Sequence, residues 1–210
     1  MRKLLLIFIC TLAFISCNSE KKNVLIIGDS ISIGYTPFVR EALQEQANVV
    51  HNYRNARYTG YGLDSIHNWI GNTKWDVIHF NFGLHDLCYR SEVALRDKVN
   101  GKLSTTLEEY GENLREIVEI LQKTKAKLIF ATTTMVPENE PGRFVEDVEK
   151  YNSVAREIME DYDVEINDLY SLSLEVHPKY GKGDDDVHYH KEGYKMFAAQ
   201  VADVIRNNFD

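Results

Sequence analysis

Two segments near opposite ends of the chain carry side chains that could act together in nucleophilic catalysis. Ser30 follows the apolar run 23–28 (NVLIIG), and His188 ends the acidic segment 184–188 (DDDVH). A serine hydroxyl becomes a good nucleophile when a neutral imidazole accepts its proton. A carboxylate on the other ring nitrogen fixes the tautomer and stabilises the imidazolium that forms. We therefore predict that Ser30, His188 and Asp185 form one catalytic unit, with Asp184 and Asp186 as alternative carboxylates.

Each segment has a simpler interpretation when it is taken alone. A Ser or Asp in a turn after a strand is more often a cap or turn residue than a nucleophile. The acidic segment could be a solvated loop, or a metal site formed by residues 184–186 with His188 and His190. Because the three aspartates lack the ligand spacing of a calcium loop, we expect no metal.

The elements that must position these residues alternate between strands and helices. Short apolar runs without proline predict buried parallel strands at 23–28, 47–53, 75–82, 126–133 and 163–167. Amphipathic segments predict helices at 38–46, 63–70, 105–123, 144–162 and 192–207. This alternation indicates an α/β fold, a three-layer α/β/α sandwich around a flavodoxin-like five-stranded parallel sheet. Ligands of such sheets bind at the carboxyl ends of the strands, where Ser30 is expected to meet His188.

The N-terminal residues form a targeting segment rather than part of the fold. Arg2 and Lys3 precede an almost wholly apolar stretch, 4–15, which is too short to span a membrane, and Ser16 then precedes Cys17. Residues 1–16 resemble a bacterial lipoprotein signal with Cys17 as the acylated first residue, although an ordinary secretory signal or an uncut anchor is the alternative. We expect a short tether at 17–22, a domain at 23–210, and an exported protein whose contact with the membrane is its lipid anchor.

Composition excludes several other classes of protein. The 210 residues include 24 Lys and Arg against 32 Asp and Glu, which gives a net charge of -8 and argues against nucleic-acid binding. A hydrophobic fraction of 44% is enough for a substantial core and excludes a disordered chain. The cysteines Cys10, Cys17 and Cys88 are too few for a disulfide framework or a thiolate zinc site, and Cys88 is expected to be buried.

Most of the chain, from 24 to 209, resembles the SGNH (GDSL) hydrolase family. Gly28-Asp29-Ser30 matches the first block of that family, and Asp185 to His188, followed by Gly193-Tyr194, matches its last block. The resemblance implies an esterase in which Ser30 is the nucleophile and Asp185 and His188 complete the triad. It also implies acyl transfer to water without a metal or organic cofactor.

The two middle blocks depart from the family pattern. Where the family has a glycine whose N–H helps to form the oxyanion hole, this chain has Arg57, or Ala56 one register away. Where the family has an asparagine in its third block, Gly83-Leu84-His85-Asp86 carries His85. The resemblance implies an oxyanion hole made by the N–H groups of Ser30 and Arg57 and the side chain of His85. Asn81 is the rival side-chain donor.

The substrate favoured by an exported enzyme of this family is a carbohydrate O-acetyl ester. Five tyrosines are expected near the crevice, where they would suit sugar faces or serve only as packing residues: Tyr35, Tyr58, Tyr61, Tyr89 and Tyr189. His79 is expected to pack within its strand. Two alternatives remain: an FMN- or phosphate-binding flavodoxin-like protein with residues 30–34 as the phosphate loop, and a catalytically silent glycan-binding lipoprotein.

Overall fold

The computed structural model describes residues 20–209. The predicted signal segment 1–16 and the lipidation site Cys17 lie outside these residues. In the described part of the chain, no helix is long and apolar enough to cross a membrane.

The strands and helices alternate along the chain as the sequence predicts. The strands are β1 (Lys22–Ile27), β2 (Ala47–His51), β3 (Val77–Phe80), β4 (Tyr89–Arg90), β5 (Lys102–Leu103), β6 (Lys127–Ala131), β7 (Glu165–Asn167), β8 (Gly181–Gly183) and β9 (Asp186–Tyr189). The helices are α1 (Ser30–Leu43), α2 (Thr59–Ile70), α3 (Leu107–Gln122), α4 (Val145–Asp161), α5 (Leu169–Tyr180) and α6 (Lys191–Arg206).

Five parallel strands form the central sheet, in the order β2-β1-β3-β6-β7. The central strand β3 and its neighbour β1 are largely buried, with residues 24–27 of β1 and all four residues of β3 in the core. Helices α1, α5 and α6 pack together, and α2, α3 and α4 form a second contiguous set. These helices cover both faces of the sheet, as buried parallel strands require. The predicted three-layer α/β/α fold is confirmed.

The first helix begins eight residues earlier than predicted, because Asp29 caps it. The Ile31 N–H donates to Asp29 Oδ1 at 2.9 Å, and the Ile33 N–H donates to the Asp29 carbonyl at 3.0 Å. A side-chain oxygen at this position satisfies a helix N–H that has no partner in a preceding turn. Ser30 is therefore the first residue of α1 rather than part of a loop.

Helix α5 and two antiparallel ribbons, β4–β5 and β8–β9, were not predicted. Asp168 caps α5 by accepting from the Ser171 N–H, although the helix carries Pro178 near its end. The β8–β9 ribbon contains His188, so the segment before α6 is extended rather than an irregular loop. We call residues 89–103, which include β4 and β5, the Arg90 hairpin.

Candidate active site

Ser30 and His188 meet at the carboxyl edge of the central sheet. Ser30 directly follows the β1 segment, and His188 lies on β9 just before α6. His188 Nε2 lies 2.8 Å from Ser30 Oγ, and His188 Nδ1 lies 2.5 Å from Asp186 Oδ1. The imidazole thus connects a hydroxyl to a carboxylate, which is the arrangement that activates a serine.

The carboxylate that contacts His188 is Asp186, so the choice of Asp185 was wrong. In an extended strand, side chains two residues apart lie on the same face, and β9 places Asp186 and His188 in that relation. Asp186 Oδ1 also accepts the backbone N–H of His188 at 2.9 Å. Asp185 is exposed in the turn before β9, and Asp184, also exposed, accepts from the Asn139 side chain.

Asp186 has the charge needed to stabilise a protonated His188. Partial burial of the side chain opposes ionisation, but the N–H groups of His188 outweigh it and lower the pKa of Asp186 below its ordinary value. The group is therefore a carboxylate at neutral pH and can accept the Nδ1 proton of His188. That hydrogen bond leaves Nε2 free to accept the proton of Ser30 Oγ.

In the second block, Asn55 lines the cavity that holds Ser30, and Arg57 lies two residues further along the chain. Arg57 has a φ of 57°, which lies in the left-handed region. Glycine adopts this region without a steric penalty, whereas residues with a Cβ are strained there. This φ explains why the family has glycine at the position. The Arg57 N–H donates to Asn55 Oδ1 at 2.7 Å. The Ala56 N–H of the rival register is also engaged, because it donates to the Gly28 carbonyl at 2.9 Å.

The third block brings His85 to the cavity that Ser30 and His188 share. Gly83 has a φ of 150°, and a Cβ there would overlap the Thr133 side chain. Burial lowers the pKa of His85 to about 4; the Asp29 carboxylate opposes the shift and nearby guanidinium groups add to it. His85 is therefore a neutral imidazole that can donate one N–H. Its neighbour Asp86 points elsewhere and accepts the N–H and hydroxyl of Thr59.

Asn81, the rival donor, lies outside this cavity. Its Nδ2 donates to the Ala131 carbonyl at 2.7 Å, which joins the end of β3 to β6. It lines a separate small cavity together with Ser32 and Tyr35. Asn81 thus directly follows β3, and its amide is bound to β6 rather than lining the cavity that holds Ser30.

The shared cavity has a volume of about 500 Å³ and is open to solvent. Its charged lining includes a set of arginines that no motif indicated: Arg90, Arg96 and Arg143. The five predicted tyrosines do not contribute to its lining in the described part of the chain; Tyr35 and Tyr189 are buried in the core. The arginines were missed because they come from a hairpin and a loop whose approach to Ser30 depends on contacts between distant segments.

Two other predictions concern residues near Ser30. Residues 30–34 form the first turn of α1, so the predicted phosphate loop of a flavodoxin-like protein is wrong. Ser32 Oγ lies 2.7 Å from His51 Nε2, but Ser32 is buried and this pair joins α1 to β2. His79 and Cys88 are buried, as predicted.

The family and the fold follow from comparison with known proteins. The chain is similar in structure to the acetyl xylan esterase AlAXEase (TM-score 0.72, 18% identity), over 87% of this chain and 99% of that one. It is similar to a lipase/acylhydrolase from Enterococcus faecalis (TM-score 0.73, 19% identity), over 90% and 97%. It is also similar to a catalytic mutant of Axe2, an acetylxylan esterase from Geobacillus stearothermophilus (TM-score 0.72, 19% identity), over 90% and 95%.

At these identities the solved structures establish the fold alone. The comparison with curated protein sequences gave no match. A model of the GDSL-like lipase/acylhydrolase family matches residues 26–196, a range that contains Ser30, His85, Asp186 and His188. The chain therefore belongs to the GDSL-like lipase/acylhydrolase family and is a carboxylic ester hydrolase.

Proposed function

We propose that this protein is a serine esterase that removes acetyl groups from a carbohydrate, with Ser30, His188 and Asp186 as its catalytic triad. The observation that carries the proposal is the continuous chain from Ser30 Oγ through the His188 ring to Asp186 Oδ1, at 2.8 and 2.5 Å. The distance of 2.8 Å between Ser30 Oγ and His188 Nε2 is within the range at which a proton passes between a nucleophile and its general base.

The reaction proceeds in two acyl transfers. Ser30 Oγ attacks the ester carbonyl carbon while His188 Nε2 accepts its proton, and Asp186 stabilises the imidazolium. The tetrahedral intermediate then expels the sugar hydroxyl, which takes the proton from His188, and leaves an acetyl-Ser30 ester. A water molecule, deprotonated by His188, attacks that ester and releases acetate with Ser30 restored.

The proposed oxyanion hole has three donors. The Ser30 N–H is at the first position of α1, where no preceding turn accepts it and the helix dipole favours negative charge. The neutral His85 ring supplies a second donor. The Arg57 N–H is the third, and it reaches the oxyanion when the Asn55 side chain turns away from it. Donors fixed before the reaction stabilise the transition state without further reorganisation.

Two observations favour an acetylated carbohydrate as the substrate. Several structurally similar proteins are named acetyl xylan esterases. The cavity beside Ser30 is wide, open and polar in part, as a sugar ring requires, and it is not the closed apolar tunnel that a long acyl chain would need.

We further propose that the enzyme is exported and anchored to a membrane by a lipid. A short apolar stretch that ends in Ser16-Cys17 supports export and lipidation of Cys17 in a bacterial cell envelope. Mass spectrometry of the membrane-extracted protein is expected to find an acylated Cys17 as the first residue. A soluble mature protein that starts elsewhere would contradict lipidation.

Hydrolysis of acetyl esters by purified protein tests the proposed activity. The wild-type protein should release acetate from acetylated xylo-oligosaccharides and from 4-nitrophenyl acetate. Ser30→Ala and His188→Ala should each lower kcat by several decades, and the double variant should lose little more, because the triad acts as one unit. Ser32→Ala is the matched control, since Ser32 is buried close to Ser30 in sequence but its hydroxyl is bound to the Asp29 carbonyl and to His51. Esterase activity that survives Ser30→Ala unchanged would refute the proposal.

A further inference from the structure

We propose that the ester substrate carries an anionic group, a carboxylate or a sulfate, which Arg90 and Arg96 bind in the cavity that holds Ser30. This inference rests on the proposed esterase function and specifies its substrate class.

The two arginines face each other across the Arg90 hairpin. Arg90 and Arg96 form an antiparallel backbone bridge, and both side chains line the cavity. Residues directly opposite in an antiparallel pair place their side chains on the same face, about 5 Å apart, and like charges in that relation destabilise the pair. The hairpin thus brings two cationic residues to one cavity, where an anion would be attracted by both.

Too little negative charge is present on this side of the cavity to neutralise the arginines. Glu140 is fully buried and accepts from Nη1 of Arg96 and Nη1 of Arg143, both at 2.7 Å. One carboxylate therefore serves two guanidinium groups. Arg90 donates to the Ala94 carbonyl at 3.0 Å, and among residues 20–209 it forms no ion pair.

The other carboxylates of the cavity are engaged elsewhere. Asp29 is buried and caps α1 through the Ile31 N–H, and Asp186 accepts from His188. Neither forms an ion pair with an arginine in the described structure. The two ends of the cavity therefore differ in charge. The carboxylates of Asp29 and Asp186 lie at the end that holds Ser30 and His188, and the guanidinium groups lie on the hairpin and the adjoining loop. This positive end occurs in a chain whose net charge is -8.

Close backbone contacts fix the position of the hairpin that carries Arg90 and Arg96. The Tyr89 N–H donates to the Gly142 carbonyl at 2.7 Å, and the Lys98 N–H donates to the Pro141 carbonyl at 2.7 Å. A Cβ at Gly142 would lie 2.7 Å from Arg96 Cβ, so only glycine permits this approach. A binding group that is already held in position loses less conformational entropy when the ligand arrives.

Three matched probes test the inference with the full chain: peracetylated methyl glucuronoside, its neutral uronamide, and peracetylated methyl glucoside 6-sulfate. A charged hydrogen bond contributes about 1.5–3 kcal/mol, which corresponds to a preference of roughly tenfold to hundredfold in kcat/KM for an anionic probe over the uronamide. Arg90→Gln should remove most of that preference, because it should raise KM for the anionic probes far more than KM for the uronamide. The ratio of the carboxylate to the sulfate probe identifies which anion the site selects.

Arg115→Gln is the control, because it removes the same charge from an exposed ion pair on α3. It should retain the full preference. Equal kcat/KM of the wild-type protein on all three probes would overturn the inference, and so would an Arg90→Gln variant that loses activity on the uronamide and the anionic probes alike. The absence of Ser30-dependent hydrolysis of every probe would instead refute the proposed esterase function.

Discussion

Asp186 and Asp185 differ in their relation to His188 although they are adjacent in sequence. Asp186 Oδ1 accepts two N–H groups of His188, whereas Asp185 is exposed in the preceding turn. Asp186→Asn replaces an acceptor by an amide that favours the wrong imidazole tautomer, so kcat for 4-nitrophenyl acetate should fall by about 10²–10⁴. Asp185→Asn should leave kcat within about twofold, as expected for a surface substitution. A larger loss in Asp185→Asn than in Asp186→Asn would show that the partner is Asp185.

His85 carries the side-chain donor of the proposed oxyanion hole. Loss of one such donor costs about 10²–10³ in kcat with little change in substrate affinity, and this is the effect expected of His85→Ala in steady-state kinetics. His85→Asn should retain much of the activity, because an amide can donate from the same position.

Asn81→Ala is the comparison for His85, since the Asn81 amide is bound to the Ala131 carbonyl. It should lower thermal stability and leave kcat of the folded protein nearly unchanged. If His85→Ala kept the wild-type kcat while a folded Asn81→Ala lost most of it, the side-chain donor of the oxyanion hole would be Asn81.

At the level of elements, the contact between α1 and α6 connects the two halves of the triad. Ser30 begins α1, and α6 follows His188 directly. The helices approach closely because Gly34 has no side chain: a Cβ there would lie 2.7 Å from Cδ1 of the Tyr194 ring and closer still to its neighbours. Tyr194 in turn packs edge-on against Tyr189, the residue after His188.

Gly34→Ala should therefore separate α1 from α6. Overpacking of this kind costs about 1–3 kcal/mol, and kcat should fall as the Ser30–His188 hydrogen bond lengthens. Gly111→Ala is the control, because its Cβ would meet only Val154 Cγ1, at 3.3 Å, on the opposite set of helices. Urea denaturation and ester hydrolysis measure both effects. A Gly34→Ala protein as stable and active as the wild type would show that the contact does not set the geometry of the site.

The same elements show how far the sequence determines the fold. All five strands of the central sheet were predictable, because buried parallel strands are continuous apolar runs such as 24–27 in β1. The ribbons β4–β5 and β8–β9 were not, since their strands have two to four residues and their pairing depends on the surrounding loops. The choice between Asp185 and Asp186 failed for that reason: it required knowing that residues 186–189 are extended.

At the level of the whole molecule, the catalytic residues and the arginines differ in how far sequence can predict them. Ser30 and His188 lie in segments that must meet at the carboxyl edge of the sheet, so the topology alone brings them together. Arg90 and Arg96 reach the same cavity through a hairpin that docks on the loop before α4. No periodicity or motif encodes that docking, and therefore the polarity of the cavity emerges only in the folded chain.

Asp86 and His79 are buried titratable groups, and they should affect the stability of the whole domain in opposite ways as pH changes. Burial raises the pKa of Asp86 from 3.8 to about 7, and burial lowers the pKa of His79 from 6.5 to about 3. Between about pH 4 and pH 7 the folded state retains the Asp86 proton that the unfolded chain releases, so this group makes stability fall as pH rises. Below about pH 6.5, His79 is protonated in the unfolded chain and remains neutral in the folded state. This group therefore makes stability fall as pH falls.

Substitutions that remove each group separate the two contributions. Asp86→Asn keeps an acceptor for Thr59, and His79→Gln keeps an acceptor for the Asn167 amide. Relative to the wild type, the free energy of unfolding of Asp86→Asn should improve as pH rises from about 4.5 to about 7.5, and that of His79→Gln should improve as pH falls over the same range. Urea titrations of the three proteins at several pH values within this range measure both differences. Parallel curves for a variant and the wild type would show that the corresponding group titrates alike in the folded and unfolded states.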